Sequence, residues 1–397
     1  MASYSATERR RDSGGTSLLY DPRVRGIFYQ VIVFGAVIGA IYWIVGNTVT
    51  NLQRANIASG FGFLNGRAGF DISQTLIQYN SDANYGRAFV VGLLNTLYVA
   101  LLGVITASII GFLVGVGRLS RNWLIRKICT VYVEIFRNIP PLLVIFFWYF
   151  GVLSVLPQAR DSLALPLGSY LNNRGFFMPA PVWGEGAWLL LVALLVGIVV
   201  SFFIARWARQ RQMRTGQPFH TVQTSLALII GLPLLAFVAM GFPVSFDLPK
   251  LGTFNLAGGA QVKPEFLALF LALSFYTASF IAEIVRAGVL GVQKGQTEAA
   301  YAVGLRPGQT MRLIIVPQAL RIIIPPLSSQ YLNLIKNSSL AIAIGYPDLV
   351  AVGGTILNQT GQSVEVVAIW MVIYLGISLI TSGLMNWFNA KMALVER

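Results

Sequence analysis

The sequence predicts an all-α membrane protein with about eight transmembrane helices. Three observations predict it. Charged residues are 11% of the 397-residue chain and hydrophobic residues 55%, whereas soluble proteins carry about 25% charged residues. The apolar residues fall in long runs, and crossing the hydrocarbon layer takes about 20 of them in a helix. The basic residues behind the net charge of +14 crowd into alternate connections between those runs, as topology requires.

Taken in order, the first run is 27–46, which contains no charged residue. It exceeds the usual 7–15 residues of a signal peptide, and Gly46-Asn47-Thr48 is no small-residue cleavage site, so it reads as a retained anchor. The next spans are 89–117 and 139–156. Before the latter, Glu134, Arg137 and Asn138 precede Pro140-Pro141, and a residue before proline is turned away from helix. That predicts an inner amphipathic segment, a break and then the span, with Glu134 and Arg137 neutralising each other. Spans at 187–205, 222–242 and 266–286 follow, then 322–345, the least apolar because it holds Lys336, and 366–388. Connections 47–87, 157–183 and 243–264 are polar and read as outer loops.

Lys and Arg number 20 in the tails and connections of one side and 7 on the other. The positive side is cytoplasmic, so both termini are expected inside. The expected organisation is a cytoplasmic tail 1–26, an anchor span and periplasmic loop 27–87, a transmembrane domain 88–388 and a cytoplasmic tail 389–397. Topology accounts for the positive charge, so membrane lipid is the expected partner and nucleic acid is not. Cys129 and His220 are the single cysteine and histidine, too few for an intrachain disulfide or a His/Cys zinc site. No nucleophile–base–orienter set is visible, so the chain is not expected to be an enzyme. A phosphate loop needs Gly, four residues, then Gly-Lys and Ser or Thr. Gly291-Val292-Gln293-Lys294-Gly295 and Gly304-Leu305-Arg306-Pro307-Gly308-Gln309 both miss it.

The inner loop 291–321 carries the most information. Thr297-Glu298-Ala299-Ala300 suits a helix start, with a cap and an acid in the first turn. Gly304 suits a left-handed helix end, Pro307 the first position of a second helix, and Pro317 an interruption or the opening of the next span. The expected result is a helix–turn–helix knob, with small Ala299 and Ala300 allowing close approach by another protein.

Glu298-Ala299-Ala300, Gly304, Ile314 and Pro317 match in spacing the signature loop of binding-protein-dependent ABC importer permeases, which this chain resembles. Val316 stands where that pattern has Leu. Gly92-Leu93-Leu94-Asn95-Thr96-Leu97, Phe136-Arg137-Asn138-Ile139-Pro140-Pro141-Leu142, Ala282-Glu283-Ile284-Val285-Arg286, Pro317-Gln318-Ala319-Leu320-Arg321 and Lys336-Asn337-Ser338-Ser339-Leu340 are similar to the polar amino-acid branch. The resemblance implies a type I ABC importer permease fold, with spans two, three, six, seven and eight as its core and about 157–264 as an inserted helix pair. This long form resembles Q-type permeases of general L-amino-acid transport systems.

The resemblance implies a permease subunit that moves L-amino acids from periplasm to cytoplasm by alternating access. Glu298, Ala299, Ala300, Gly304 and Pro317 would couple it to a separate ABC ATPase subunit. The chain would need no cofactor of its own, since ATP sits on that partner. A second permease subunit, as a heterodimer, and a periplasmic amino-acid-binding protein complete the expected assembly in a bacterial inner membrane.

Two polar stripes are candidates for the translocation path. Tyr276, Ser279, Glu283 and Arg286 share one face of span six. Gln330, Asn333 and Asn337 share one face of span seven, next to Lys336. Lining and interhelical hydrogen bonding are both open readings for these polar groups. For Glu283 and Arg286 mutual pairing is preferred. For Lys336 snorkelling, or a pair with Asp348 or Glu365, is preferred over substrate contact. An ion- or proton-coupled secondary transporter is the rival function, with Glu283 and Lys336 relaying charge, but the chain shows no inverted repeat of the kind many such folds carry.

Overall fold

The structure is a computed structural model that describes residues 22–54, 59–242, 244–252 and 255–392. Most of the expected tail 1–26, and the end of the tail 389–397, lie outside the described residues. Among the described residues seven helices are long and apolar enough to cross a membrane, and one pair of helices, sharply bent at its break, passes the same test only when taken together.

The crossings are α1 (Pro22–Arg54), α2 (Tyr85–Gly117), α5 (Trp188–Thr215), α6 (Thr221–Ala239), α7 (Pro264–Leu290), α10 (Val316–Asn337) and α12 (Ser363–Met392). The bent pair is α3 (Trp123–Asn138) and α4 (Pro141–Phe146), the latter prolonged by a π-helical stretch Phe147–Leu153. α3 turns by 111° from the segment that follows it. Asn122 caps α3 through its side chain, and Ile139 before Pro140 is extended, as its position before proline dictates. The expected inner segment and break are therefore present, followed by an apolar helical segment.

The core is built on α2 and α7, which run parallel. Tyr98 stacks on Phe266, and further along a Cβ on Gly111 or Gly115 would meet Ile281 or Val285 within 2.6–2.7 Å. Gly103, Ala107, Gly111 and Gly115 recur every four residues, the small-residue spacing that lets membrane helices touch backbone to backbone. α10 runs antiparallel to both, with Leu334 against Gly103 and Ile323 against Gly288. α11 (Leu349–Thr360) packs on α2 and α12. By contrast, α5 and α6 pack chiefly on each other, and α1 presents its apolar side chains outward.

The outer connections are more ordered than polar loops. Residues 59–84 fold over the start of α2 and over α11, with Phe63, Leu64, Phe70, Ile72 and Tyr79 packed on Phe89, Leu349, Val352 and Ile356. Around the inserted pair, β1 (Leu163–Leu165), β2 (Ser169–Asn172), β3 (Gly175–Met178) and β8 (Ala260–Val262) form an antiparallel sheet. β4 (Ala180–Trp183) pairs with β5 (Val244–Asp247), and β6 (Lys250–Leu251) with β7 (Leu256–Ala257). β8 leads into α7 and β4 into α5, so the N-terminal ends of α5 and α7 share the sheet side. Their C-terminal ends share the opposite side with the loop that follows α7.

Candidate functional site

That loop is a knob. α7 ends at Leu290, and α8 (Lys294–Ala302) begins at the N-cap Gln293. The helix starts earlier than Thr297 predicts, because Lys294-Gly295-Gln296 already adopt helical backbone, so Thr297 lies inside α8 and is no cap. Gly304 takes φ +78°, the left-handed conformation expected of it. Pro307 opens α9 (Pro307–Thr310), where the Arg306 N–H donates to Gln309 Oε1 at 3.1 Å. A π-helical stretch Met311–Ile315 joins α9 to α10, and Pro317 sits in the first turn of α10.

Ala300, Thr310 and Ile315 are buried and hold α8 against the chain leading into α10. Gln318 Nε2 donates to Gln296 Oε1 at 3.2 Å across the same seam. Glu298, Ala299 and Gly304 face outward. So do Tyr301, 50% exposed, and Val303, 76% exposed. The two put apolar side chains on the outer surface of the knob. Sequence reasoning overlooks both, although each lies inside the signature spacing.

Of the candidate path residues, four lie on α10. Asn333 and Lys336 are exposed, and Gln330 and Asn337 are half-buried. Ile322, Pro325, Pro326 and Ser329 extend the exposed face toward the inner end. The two prolines leave the carbonyls of Arg321 and Ile322 without intrahelical donors, which weakens the helix there. Polar side chains and freed carbonyls within a span need protein or a water-filled path beside them. Lys336 pairs with neither Asp348 nor Glu365: Asp348 caps α11, accepting from the Ala351 N–H at 2.8 Å, and Glu365 accepts from the Gly60 N–H at 2.6 Å. Lys336 instead borders a groove of about 280 Å³ with Ser339, Val350, Trp370, Met371 and Tyr374.

Ser279 and Glu283 are placed elsewhere. Ser279 is fully buried, its hydroxyl donating to the Tyr276 carbonyl at 2.6 Å. Glu283 sits at the inner end of the core among three arginines. It pairs with Arg286 at 2.8 Å, with Arg137 at 3.5 Å, and with Arg118, whose side chain is 9% exposed. The expected Glu283–Arg286 pair is present, but Arg137 reaches Glu283 and not Glu134, because the 111° bend carries the end of α3 onto α7. Arg118, a loop charge by sequence, closes α2 onto this cluster. The signal for it is an arginine at the very end of an apolar span, where the chain cannot carry it far from the bundle.

A second polar node binds the outer end of the core. Asn95 Nδ2 donates to the carbonyls of Gln74 and Pro347, each at 2.9 Å. The Leu349 N–H donates to Thr96 Oγ1 at 3.0 Å, and Tyr346 donates to the Asn95 carbonyl at 3.0 Å. A Cβ on Gly92 would stand 3.0 Å from the Asp348 carbonyl and the Leu349 Cα. The Gly92–Leu97 segment is thus the clasp that holds the turn between α10 and α11. Asp348 is fully buried beside Tyr374, whose hydroxyl also faces Ser338 and Thr96, and forms no ion pair among the described residues. It lies outside the spanning segments, and burial pushes its carboxyl up to about 7.

The family described as Binding-protein-dependent transport system inner membrane component matches residues 197–394, which include the knob and all of α10. The chain is 66% identical to the general L-amino acid transport system permease protein AapQ of Rhizobium johnstonii, over 96% of this chain and 95% of that one. It is 50% identical to the putative amino-acid ABC transporter permease protein YhdX of Escherichia coli, over 98% of this chain and 100% of that one. Among solved structures, an amino acid ABC transporter crystallised with histidines aligns over 77% of this chain and 95% of its own, at 20% identity and a TM-score of 0.47.

Proposed function

The chain belongs to the binding-protein-dependent transport system inner membrane components, and from that premise we propose that it is the permease subunit of an ATP-driven importer of L-amino acids. The observation that carries the mechanism is the exposed knob at α8–α9, continuous with α10. A soluble ATPase subunit gripping Glu298, Ala299, Gly304, Tyr301 and Val303 would move α8, and the buried contacts of Ala300 and Ile315 would pass that movement to α10. α10 in turn presents Gln330, Asn333, Lys336 and Asn337 to the path. The substrate class follows the relatives, whose names specify amino acids.

In this reading ATP is bound and hydrolysed on the partner. A second permease subunit, related but different, covers the exposed face of α10, so that the path runs between the two. A periplasmic amino-acid-binding protein delivers substrate at the sheet side. Both termini are cytoplasmic, in a bacterial inner membrane. A zwitterionic amino acid needs hydrogen-bonding groups and balancing charge. The amides of Gln330, Asn333 and Asn337 supply the first, and Lys336 near the outer end a site for the carboxylate. Glu283 and Ser279, held inside the packing, support the helices that frame the path.

The test is uptake of labelled L-amino acids into proteoliposomes that hold the chain with its co-expressed transport subunits, ATP trapped inside and binding protein outside. Uptake is expected to need both and to persist with a protonophore. Uptake that ignores ATP and follows an ion gradient overturns the proposal. Gly304→Asp, which changes the knob alone, is expected to abolish ATP-driven uptake while the spans still assemble.

A further inference from the structure

The inserted pair carries a cluster of arginines to which the proposed mechanism gives no role. α5 holds Arg206, Arg209, Arg211 and Arg214 in its last three turns, and no Asp or Glu occurs between Glu185 and Asp247. None of the four arginines forms an ion pair among the described residues. The hairpin therefore brings concentrated positive charge with nothing of its own to balance it.

Geometry puts that charge at a defined depth. The apolar part of α5, residues 188–205, is about 27 Å long at 1.5 Å per residue, close to the roughly 30 Å of hydrocarbon. The arginines begin at the next residue. The Phe219 ring packs on Trp207 at 5.4 Å, so the chain has returned to the level of Trp207 before α6 starts, and the last two turns of α5 stand beyond the hairpin. This end lies on the side of the α8 knob, opposite the sheet.

The arginines are not equivalent. Arg211 stacks over Trp207 at 5.5 Å and hydrogen-bonds Gln217 at 3.4 Å. Arg206, Arg209 and Arg214 instead line, with Phe202, Ala205, Gln210 and Met213, an open groove of about 740 Å³. Phe202 and Met213, exposed by 63% and 85%, flank the guanidinium groups with apolar surface. Forked guanidinium groups match phosphate oxygens in paired hydrogen bonds. Phe202, within the apolar part of the helix, matches acyl chains. The cytoplasmic leaflet is the source of anionic headgroups at this depth.

We propose that the Arg206–Arg209–Arg214 face of α5 is a binding site for an anionic phospholipid of the cytoplasmic leaflet, which anchors the inserted pair beside the core. The proposal rests on the orientation of the chain in the membrane and not on its substrate.

The test is native mass spectrometry of the full-length chain, in its complex with co-expressed subunits, titrated with diphosphatidylglycerol and separately with phosphatidylcholine. Diphosphatidylglycerol is expected to be retained and phosphatidylcholine not. Each arginine near a membrane surface contributes about a fivefold effect, so Arg206→Gln with Arg209→Gln is expected to weaken retention about 25-fold. The same charge change at Arg121→Gln with Arg126→Gln, in the connection after α2 and the first turn of α3, is expected to weaken it less than twofold. Arg206→Lys with Arg209→Lys, which keeps the charge, guards against misfolding and is expected to stay within about fivefold of the unmodified chain. Equal losses at both paired Gln variants would reduce the effect to net charge and overturn the site. Unchanged retention would also overturn it, as would release of the ATPase subunit in place of lipid, which would assign the face to a protein.

Discussion

The two ends of the transmembrane core are fastened by different chemistry. At the outer end, Asn95, Thr96 and Tyr346 are fully buried: Asn95 and Thr96 bond backbone groups of the turn that follows α10, and Tyr346 of that turn bonds the Asn95 carbonyl, with no ion pair among these described residues. At the inner end, Glu283 gathers Arg118, Arg137 and Arg286 from three helices, and the cluster is partly open to water. Neutral bonds to buried backbone are local and indifferent to salt, whereas charges near a surface are screened and can exchange partners. The outer end is built to keep one arrangement. The inner end, beside the knob, is built from contacts that can be traded as helices shift.

Three substitutions would break or sharpen this contrast. The largest effect is expected from Glu283→Gln, which leaves the nearly buried Arg118 without an opposite charge. Losing the charge shared by three guanidinium groups in a partly open cluster costs about 2–3 kcal/mol, read as a lowered thermal midpoint of the purified complex and a loss of α3 protection in hydrogen exchange. A midpoint within error of the unmodified chain would show that the arginines are solvated and the inner fastening is not electrostatic. Thr96→Val keeps the shape but deprives the buried Leu349 N–H of its acceptor. The expected cost is about 1–3 kcal/mol, unchanged between low and high salt, and salt sensitivity there would remove the distinction between the two ends.

Asp348→Asn is expected to have the smallest effect at pH 5 and the opposite sign at pH 8. Its carboxyl titrates at about 7 when folded, against an ordinary value of 3.8. The folded chain therefore holds that proton more tightly than the unfolded chain, and the associated stability, full below about pH 4, is lost as pH rises toward 7. Asparagine retains a capping oxygen and cannot ionise. The variant should flatten the fall in thermal midpoint between pH 5 and pH 8, and an unchanged slope would place the titration elsewhere.

Much of this architecture is legible in sequence because lipid enforces it. An apolar run of fixed length answers to the thickness of the hydrocarbon layer, and an arginine-rich connection answers to the side of the membrane on which it stays. Most of the spans and the knob at Gly304 and Pro307 can therefore be read directly. The small residues Gly103, Ala107, Gly111 and Gly115 are equally legible by their spacing, yet hydropathy alone passes over them. Asp348 is not legible, and Arg118 is legible only in its place at the end of a span, since the partners of both depend on which helix arrives beside them from far along the chain. The strands of the outer connections escape for another reason. They are two to four residues long, too short for an alternating pattern to emerge from a polar background.

The outer sheet carries a consequence for how such a chain is assembled and altered. β3 enters the inserted region and β8 leaves it, and the two are antiparallel neighbours, with Met178 opposite Ala260. Everything from 179 to 259 departs from one corner of the sheet and returns to it. A chain in which a two-residue turn joins these strands would form an ordinary hairpin, with α7 entering the bundle at the same place. The helix pair is in that sense a detachable cassette, whose two ends meet at a seam already stitched by backbone hydrogen bonds. Its gain or removal leaves the register of the five-span core intact.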